Sequence, residues 1–199
     1  MYTDEFRWLD AIIASNKEFQ GRIEPAKLPT QRTPGTVAVI TCMDPRVNLE
    51  AMGIPPFTSE GEGNSSTRII RTIGARVEER SLLIGLFLAG IREIAVLMHT
   101  DCGCCAAYDK MDVIVNHLHQ NVEPSRLEQF IDRVGEPFVE RLRTWLGAFS
   151  DPYEAVRQEV DTIKSLPFIP QQFVVHGLVY HLATGNIDVV VNGYTEPRS

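Results

Sequence analysis

Basic charge, cysteine and long apolar runs are all scarce in this 199-residue chain, and each shortage closes off a class of function. Lysine and arginine number 19 against 26 aspartates and glutamates, a net charge of −7. With no basic stripe to neutralise phosphates, nucleic acid is excluded as a partner, while a small neutral or anionic substrate stays open. The longest apolar run, Leu82 to Ala89 with Gly85 inside it, falls far short of the roughly 18 residues that read as a membrane span. The start Met1-Tyr2-Thr3-Asp4-Glu5-Phe6-Arg7 carries early acids and lacks the basic residues and apolar stretch of a secretory signal. The expectation is a cytoplasmic protein with no membrane partner. There are only four cysteines, Cys42, Cys102, Cys104 and Cys105. In a reducing compartment clustered thiols mean metal or redox chemistry rather than cross-links.

Several motifs are missing as well. Gly61-Glu62-Gly63-Asn64-Ser65-Ser66 imitates a dinucleotide fingerprint but has no third glycine, follows no strand and opens no helix. A phosphate-binding Gly-x-x-x-x-Gly-Lys loop and a Gly-x-Ser-x-Gly elbow are both absent, which removes phosphoryl transfer and serine hydrolysis from consideration. What is present is 44% hydrophobic residues, enough for a real core, and the simplest division is one domain over 1–199.

Short β-rich runs alternate with longer helical ones, the pattern of an α/β fold with a mostly parallel central sheet flanked by helices. Strands are predicted at Thr36–Thr41, Thr67–Arg71, Glu93–Met98, Phe173–Tyr180 and Ile187–Val191, the last two joined across the turn-like Thr184-Gly185-Asn186. The continuous apolar run of the first suits a strand covered on both faces. Between the second and third, Glu78–Ala89 reads as a crossover helix with Leu82, Leu83, Leu86 and Phe87 on one face and Gly90 at C′. A helical region starts at Gly103. Within it Ser125 and Glu128 have capping-box spacing, and Asp151-Pro152-Tyr153-Glu154 marks an N-cap with proline at N1, for a helix that stops at Pro167. An N-terminal helix and an extended arm, Ile23 to Pro34, occupy 1–35; arms of this kind reach partner subunits. The breaker-rich connection Ile54 to Ser66 is a candidate gate, and 117–150 is an insert-like helical region.

The chemistry concentrates in two short stretches, Cys42-Met43-Asp44-Pro45-Arg46 and His99-Thr100-Asp101-Cys102-Gly103. Both lie at the carboxyl ends of predicted strands, where open α/β sheets bind ligands. Two thiolates and an imidazole, Cys42, Cys102 and His99, form a zinc ligand set, and with three protein ligands a tetrahedral zinc keeps one position open, the catalytic pattern. Two thiolates cancel the charge of Zn2+, so the neighbourhood must assist. Asp44 can orient a zinc-bound water and Arg46 can form a two-pronged pair with that carboxylate. If Arg46 lets go, Asp44 can swing onto the metal as a fourth ligand. Cys104 and Cys105 read as part of a packed helical first turn. His117 and His119 read as solvated, His176 as a satisfied core histidine, and His181 carries no signal.

Cys42-x-Asp44-x-Arg46 followed by His99-x-x-Cys102-Gly103 resembles the β-class carbonic anhydrases. Arg71-Thr72-Ile73-Gly74-Ala75 is similar to the family's Arg-Asn-Ala-Gly segment, and Ser165-Leu166-Pro167 with His176-Gly177-Leu178-Val179-Tyr180 is similar to its C-terminal part. The resemblance spans Thr36 to Val191, with weak matching over Ala106–Ser150. It implies zinc on Cys42, His99 and Cys102, a catalytic dyad of Asp44 and Arg46, a homodimer or a higher assembly of dimers, and hydration of carbon dioxide to bicarbonate by zinc-bound hydroxide. The related carbonyl sulfide and carbon disulfide hydrolases use the same ligand set, and Thr72, Ile73, Cys104 and Cys105 depart from the usual pattern around the pocket. A third reading, a non-catalytic zinc or thiol-redox protein, is disfavoured by the retention of both Asp44 and Arg46.

Overall fold

In the computed structural model, residues 8–22, 36–54 and 67–195 are described, and the chain divides into two units, Met1–Arg32 and Thr33–Ser199. In the first, helix α1 (Trp8–Arg22) keeps Trp8, Leu9, Ile12, Ile13 and Phe19 exposed. The predicted arm and positions 55–66 of the predicted gate lie outside the described residues.

The second unit is built on a five-stranded sheet of order β2-β1-β3-β4-β5, formed by β1 (Val37–Cys42), β2 (Arg68–Thr72), β3 (Glu93–His99), β4 (Val174–Tyr180) and β5 (Ile187–Val191). The first four strands are parallel and β5 is antiparallel to β4. This is the mostly parallel α/β sheet expected, with bounds shifted by a residue. β1, β3 and β4 have strand partners on both sides, and their apolar runs follow from cover on both faces. Ala38, Ile40, Ile94, Val96, Val175 and Val179 are almost wholly buried, and each large side chain removed from water contributes about 1.5–3 kcal/mol.

Helix α2 (Glu79–Phe87) shows how the packing face is chosen. Leu82 and Gly85 are buried whereas Leu83, Ile84, Phe87 and Leu88 are exposed, so the face expected from Leu82, Leu83, Leu86 and Phe87 is only half right. The bare backbone of Gly85 packs against the Ile91 side chain, so the buried face runs through Leu82 and Gly85 and leaves Leu83 and Phe87 outside. Leu88 is the C-cap, which puts C′ at Ala89 and the left-handed Gly90 (φ 78°) one position beyond the place expected for it.

After β3 come α3 (Gly103–Asp109), α4 (Met111–Asn121), α5 (Pro124–Val134), α6 (Phe138–Trp145) and α7 (Pro152–Ser165). The expected capping box at Ser125 is not used. Glu123 is the N-cap and Pro124 begins α5, because proline's fixed φ and missing N–H suit the first helical position. Asp151 does cap α7, its Oδ1 accepting from Tyr153 N at 2.9 Å. Along α7, Val156, Val160 and Ile163 are buried in the main core. A separate small core of Met111, Phe138 and Leu142 holds α4 and α6 together, with Phe130 edge-on to both Phe138 and Trp145.

Candidate metal centre

Cys42 is the last residue of β1 and His99 the last of β3, neighbouring parallel strands. The chain leaves β1 for β2 on one side and reaches β4 from β3 on the other, so the loops diverge at this point and leave a crevice. Cys102 follows as the N-cap of α3. Cys42 Sγ and Cys102 Sγ are 3.8 Å apart, and all three donor atoms lie within 4.8 Å of one another. A tetrahedral ion with Zn–S bonds of about 2.3 Å sets its two sulphurs about 3.8 Å apart.

His99 gives the sharper indication. Its side chain is wholly buried. Nδ1 lies 2.9 Å from Thr100 O, a carbonyl that can only accept, so Nδ1 carries the proton and Nε2 presents a lone pair. That Nε2 is buried with no hydrogen-bond partner among the described residues. A buried polar atom left alone costs about 1–3 kcal/mol, and a cation between it and the two sulphurs removes the cost. The donor set fits zinc.

Around the sulphurs the backbone is arranged to hold negative charge. Backbone amides of Asp44 and Gly74 beside Cys42, and that of Cys104 beside Cys102, favour the charged form of each sulphur. The hydrogen bond from Cys102 outweighs burial and holds Cys42 well below the ordinary thiol range, while Cys102, which makes that bond, keeps its proton more firmly. Bringing Gly74 this close takes a left-handed turn, φ 57°, followed by a second left-handed residue, Ala75, at φ 58°. A Cβ on Gly74 would lie 2.7 Å from Cys104 Sγ, so the glycine is required both by conformation and by space.

Asp44 and Arg46 stand at the rim. Arg46 Nε donates to Asp44 Oδ1 at 3.0 Å and Nη2 to Oδ2 at 2.7 Å, and Arg46 N donates to Oδ1 at 2.9 Å. The guanidinium bonds, with the backbone N–H behind them, outweigh burial and hold the Asp44 carboxyl at about 2. Asp44 Oδ2 is 4.0 Å from His99 Nε2, beside the donor triangle but outside it. The expected two-pronged pair is therefore present. Cys104 is buried in the first turn of α3 and Cys105 Sγ donates to Ser150 O at 3.2 Å, the packing role expected of both. His117 and His119 are exposed on α4, and His176 is satisfied by Glu93 Oε1 and Gly193 N.

Three residues matter here that sequence reading left without a role. Arg71, on β2, donates to Cys42 O at 2.8 Å and to Val47 O at 2.9 Å, stapling the loop that carries Asp44 and Arg46. Asp101 accepts from Arg46 Nη1 at 2.7 Å. His181 Nε2 meets Asp188 Oδ2 at 2.9 Å and Tyr153 Oη at 2.8 Å, fastening α7 to the β4–β5 hairpin. None of these pairings has a sequence spacing that announces it, since the partners come from different strands and loops.

A mostly parallel sheet with a Cys–His–Cys cluster at its carboxyl end defines a class of metal-site α/β proteins, and the comparisons give the family. The sequence matches the family model for carbonic anhydrase over residues 37–187. YvdA of Bacillus subtilis (strain 168) is 30% identical over 94% of this chain and 92% of its own length. The crystal structure of the β-carbonic anhydrase isoform I from Trichomonas vaginalis superposes with a TM-score of 0.74 at 25% identity, covering 95% of this chain and all of that one. A carbon disulfide hydrolase from Acidithiobacillus thiooxidans is 26% identical over 72% of this chain and 67% of its own. The chain belongs to the β-class carbonic anhydrase family, a family of enzymes that includes carbon disulfide hydrolases.

Proposed function

We propose that this protein hydrates carbon dioxide to bicarbonate, releasing one proton, at a zinc ion held by Cys42, His99 and Cys102. The observation that carries the reading is the buried, unpartnered Nε2 of His99 facing two sulphurs, with an ionised Asp44 4.0 Å away. Zinc in that triangle supplies a Lewis acid that acidifies water. Asp44, an acceptor only at working pH, takes a hydrogen bond from the attacking water and fixes its orientation. With its carboxyl at about 2, Asp44 holds a proton too weakly to act as the base near neutrality, so the proton leaves to solvent or buffer. Arg46 keeps that carboxylate in place, and Arg71 keeps the loop under both.

A second reading is hydrolysis of carbonyl sulfide or carbon disulfide at the same centre. The likeness to a carbon disulfide hydrolase and the exposed Ile73 and Met43 beside the site favour it. Stopped-flow carbon dioxide hydration, run beside hydrogen sulfide release from carbonyl sulfide on zinc-loaded protein, separates the two. Hydration well above the sulfide rate supports the first reading, and silence in both with zinc bound overturns the enzymatic one. We further infer a homo-oligomer, supported by the exposed apolar stripe Leu83, Ile84, Phe87 and Leu88 on α2, since contiguous patches of this kind mark interaction surfaces. Among the described residues no helix is long and apolar enough to cross a membrane.

A further inference from the structure

Arg46 does more than pair with Asp44. While Nε and one face of Nη2 hold the Asp44 carboxylate, Nη1 donates to Asp101 Oδ2 at 2.7 Å and Nη2 also donates to Asp101 O at 2.9 Å. Asp44 belongs to the loop after β1 and Asp101 to the loop after β3, immediately before Cys102. The arginine therefore ties together the two loops that carry the donor triangle. Asp101 reaches it from a left-handed conformation, φ 55°, which an aspartate tolerates better than most residues but which still costs free energy. Such a conformation is kept where surrounding contacts over-determine it, and Arg46 grips both the side chain and the carbonyl of Asp101.

We propose that Asp101 is a positioning residue that holds Arg46, and through it Asp44, in the arrangement that leaves the metal position beside His99 open to small ligands. This rests on the metal-site reading above. The Asp44–Arg46 fork is local, two residues apart, with Asp44 mostly buried and the arginine half exposed; the Asp101 carboxylate is largely exposed, so its ion pair is weak taken alone, and what holds the guanidinium is the grip of both loops together. Anchoring the guanidinium on a second loop removes its rotamer freedom once and for all, so the fork forms without ordering it anew. With that anchor gone, Arg46 is free to leave, and an Asp44 carboxylate already 4.0 Å from His99 Nε2 has only a short move to join the donor set and fill the open position.

The test uses the full chain loaded with cobalt(II) in place of zinc, and reads azide binding from the visible absorption of the metal, so that no turnover is needed. Asp101→Asn keeps the size and tolerates the left-handed backbone; Asp101→Gly keeps the backbone alone and guards against a folding effect of the first. Both are expected to retain one metal per chain and to weaken azide binding about 10-fold, the usual scale for loss of an outer partner of a metal site. Adding Asp44→Ala to Asp101→Asn is expected to restore azide binding, because no carboxylate remains to fill the position. Azide affinity within twofold of wild type in both single variants overturns the proposal. Failure of the double variant to recover overturns it too, since Asp101 would then act on the Cys102 loop directly. A wild-type protein that binds cobalt and azide yet turns over neither carbon dioxide nor carbonyl sulfide would sink the enzymatic reading and leave this one standing.

Discussion

At Asp44 one carboxylate is committed to Arg46 on one side and lies beside the donor triangle on the other. Asp44→Ala removes the proposed water-orienting acceptor without touching a sulphur or the imidazole. Turnover is expected to fall about 10- to 100-fold, the scale for outer partners of metal sites, with metal content by elemental analysis unchanged; loss of the metal instead would make Asp44 chiefly a ligand. Gly74 is a residue of the opposite kind, important for what it lacks. Gly74→Ala places a methyl group 2.7 Å from Cys104 Sγ and 3.0 Å from Phe149 Cε1 at a left-handed φ. It is expected to destabilise the fold by about 2 kcal/mol in urea unfolding and to weaken metal binding, because the Gly74 N–H then turns away from Cys42.

Among the elements, α2 and α7 are both fixed at their N-termini by an acid; the sequence marks Asp151 as a cap, whereas Glu78, read there as the first helical residue, is the cap in the structure. Glu78 caps α2, accepting from Ser81 N at 2.8 Å, Ser81 Oγ at 2.6 Å and Arg80 Nε at 2.7 Å. The Ser81 side chain first, then Arg80, holds its carboxyl at about 2 against an ordinary 4.5. Because the folded value lies below the unfolded one, the cap's contribution is complete above pH 4.5 and is lost as pH falls toward about 2. Glu78→Gln should therefore be less stable than wild type at neutral pH, and the gap between their urea midpoints should close over that acid window when both are measured metal-free. A gap independent of pH would assign the effect to packing. At α7, Glu159 is buried and pairs with Arg76 at 2.6 Å, while Arg76 also donates to Gly147 O. That pair fastens the helix to the segment after Ala75, which is how a distant helix comes to support the turn at the sulphurs.

On the scale of the whole molecule, the proposed metal centre joins the ends of two strands and the start of a helix, so occupancy and stability are expected to be coupled. Removing the metal with a chelator leaves Nε2 of His99 buried and alone and two sulphurs sharing a proton. The Tm is expected to drop by ~10 °C, given a metal bound far more tightly than its working concentration. Re-addition of zinc should restore the Tm and release protons, because Cys102 must give up the one it holds; calorimetry in two buffers of different ionisation heat measures that release. The donor residues, the dyad and the strand ends were legible along the chain because each is a local pattern. An apolar β-branched run stops at Cys42, another stops at His99, and Asp151-Pro152 opens a helix whatever packs on it. Other features were not legible, for one physical reason: they depend on which neighbour a backbone meets. Gly85 joins the buried face of α2 against Ile91, Pro124 took the helix start from Ser125, and Arg71 and Asp101 acquired roles only when the sheet order put β1 between β2 and β3. By itself the sequence determined which atoms are available to hold a metal and that they sit at strand ends. Only the tertiary structure decided that two sulphurs stand 3.8 Å apart, that Nε2 is buried with no other partner, and that Arg46 spans two loops, because those distances come from strand pairing and close packing rather than from spacing along the chain.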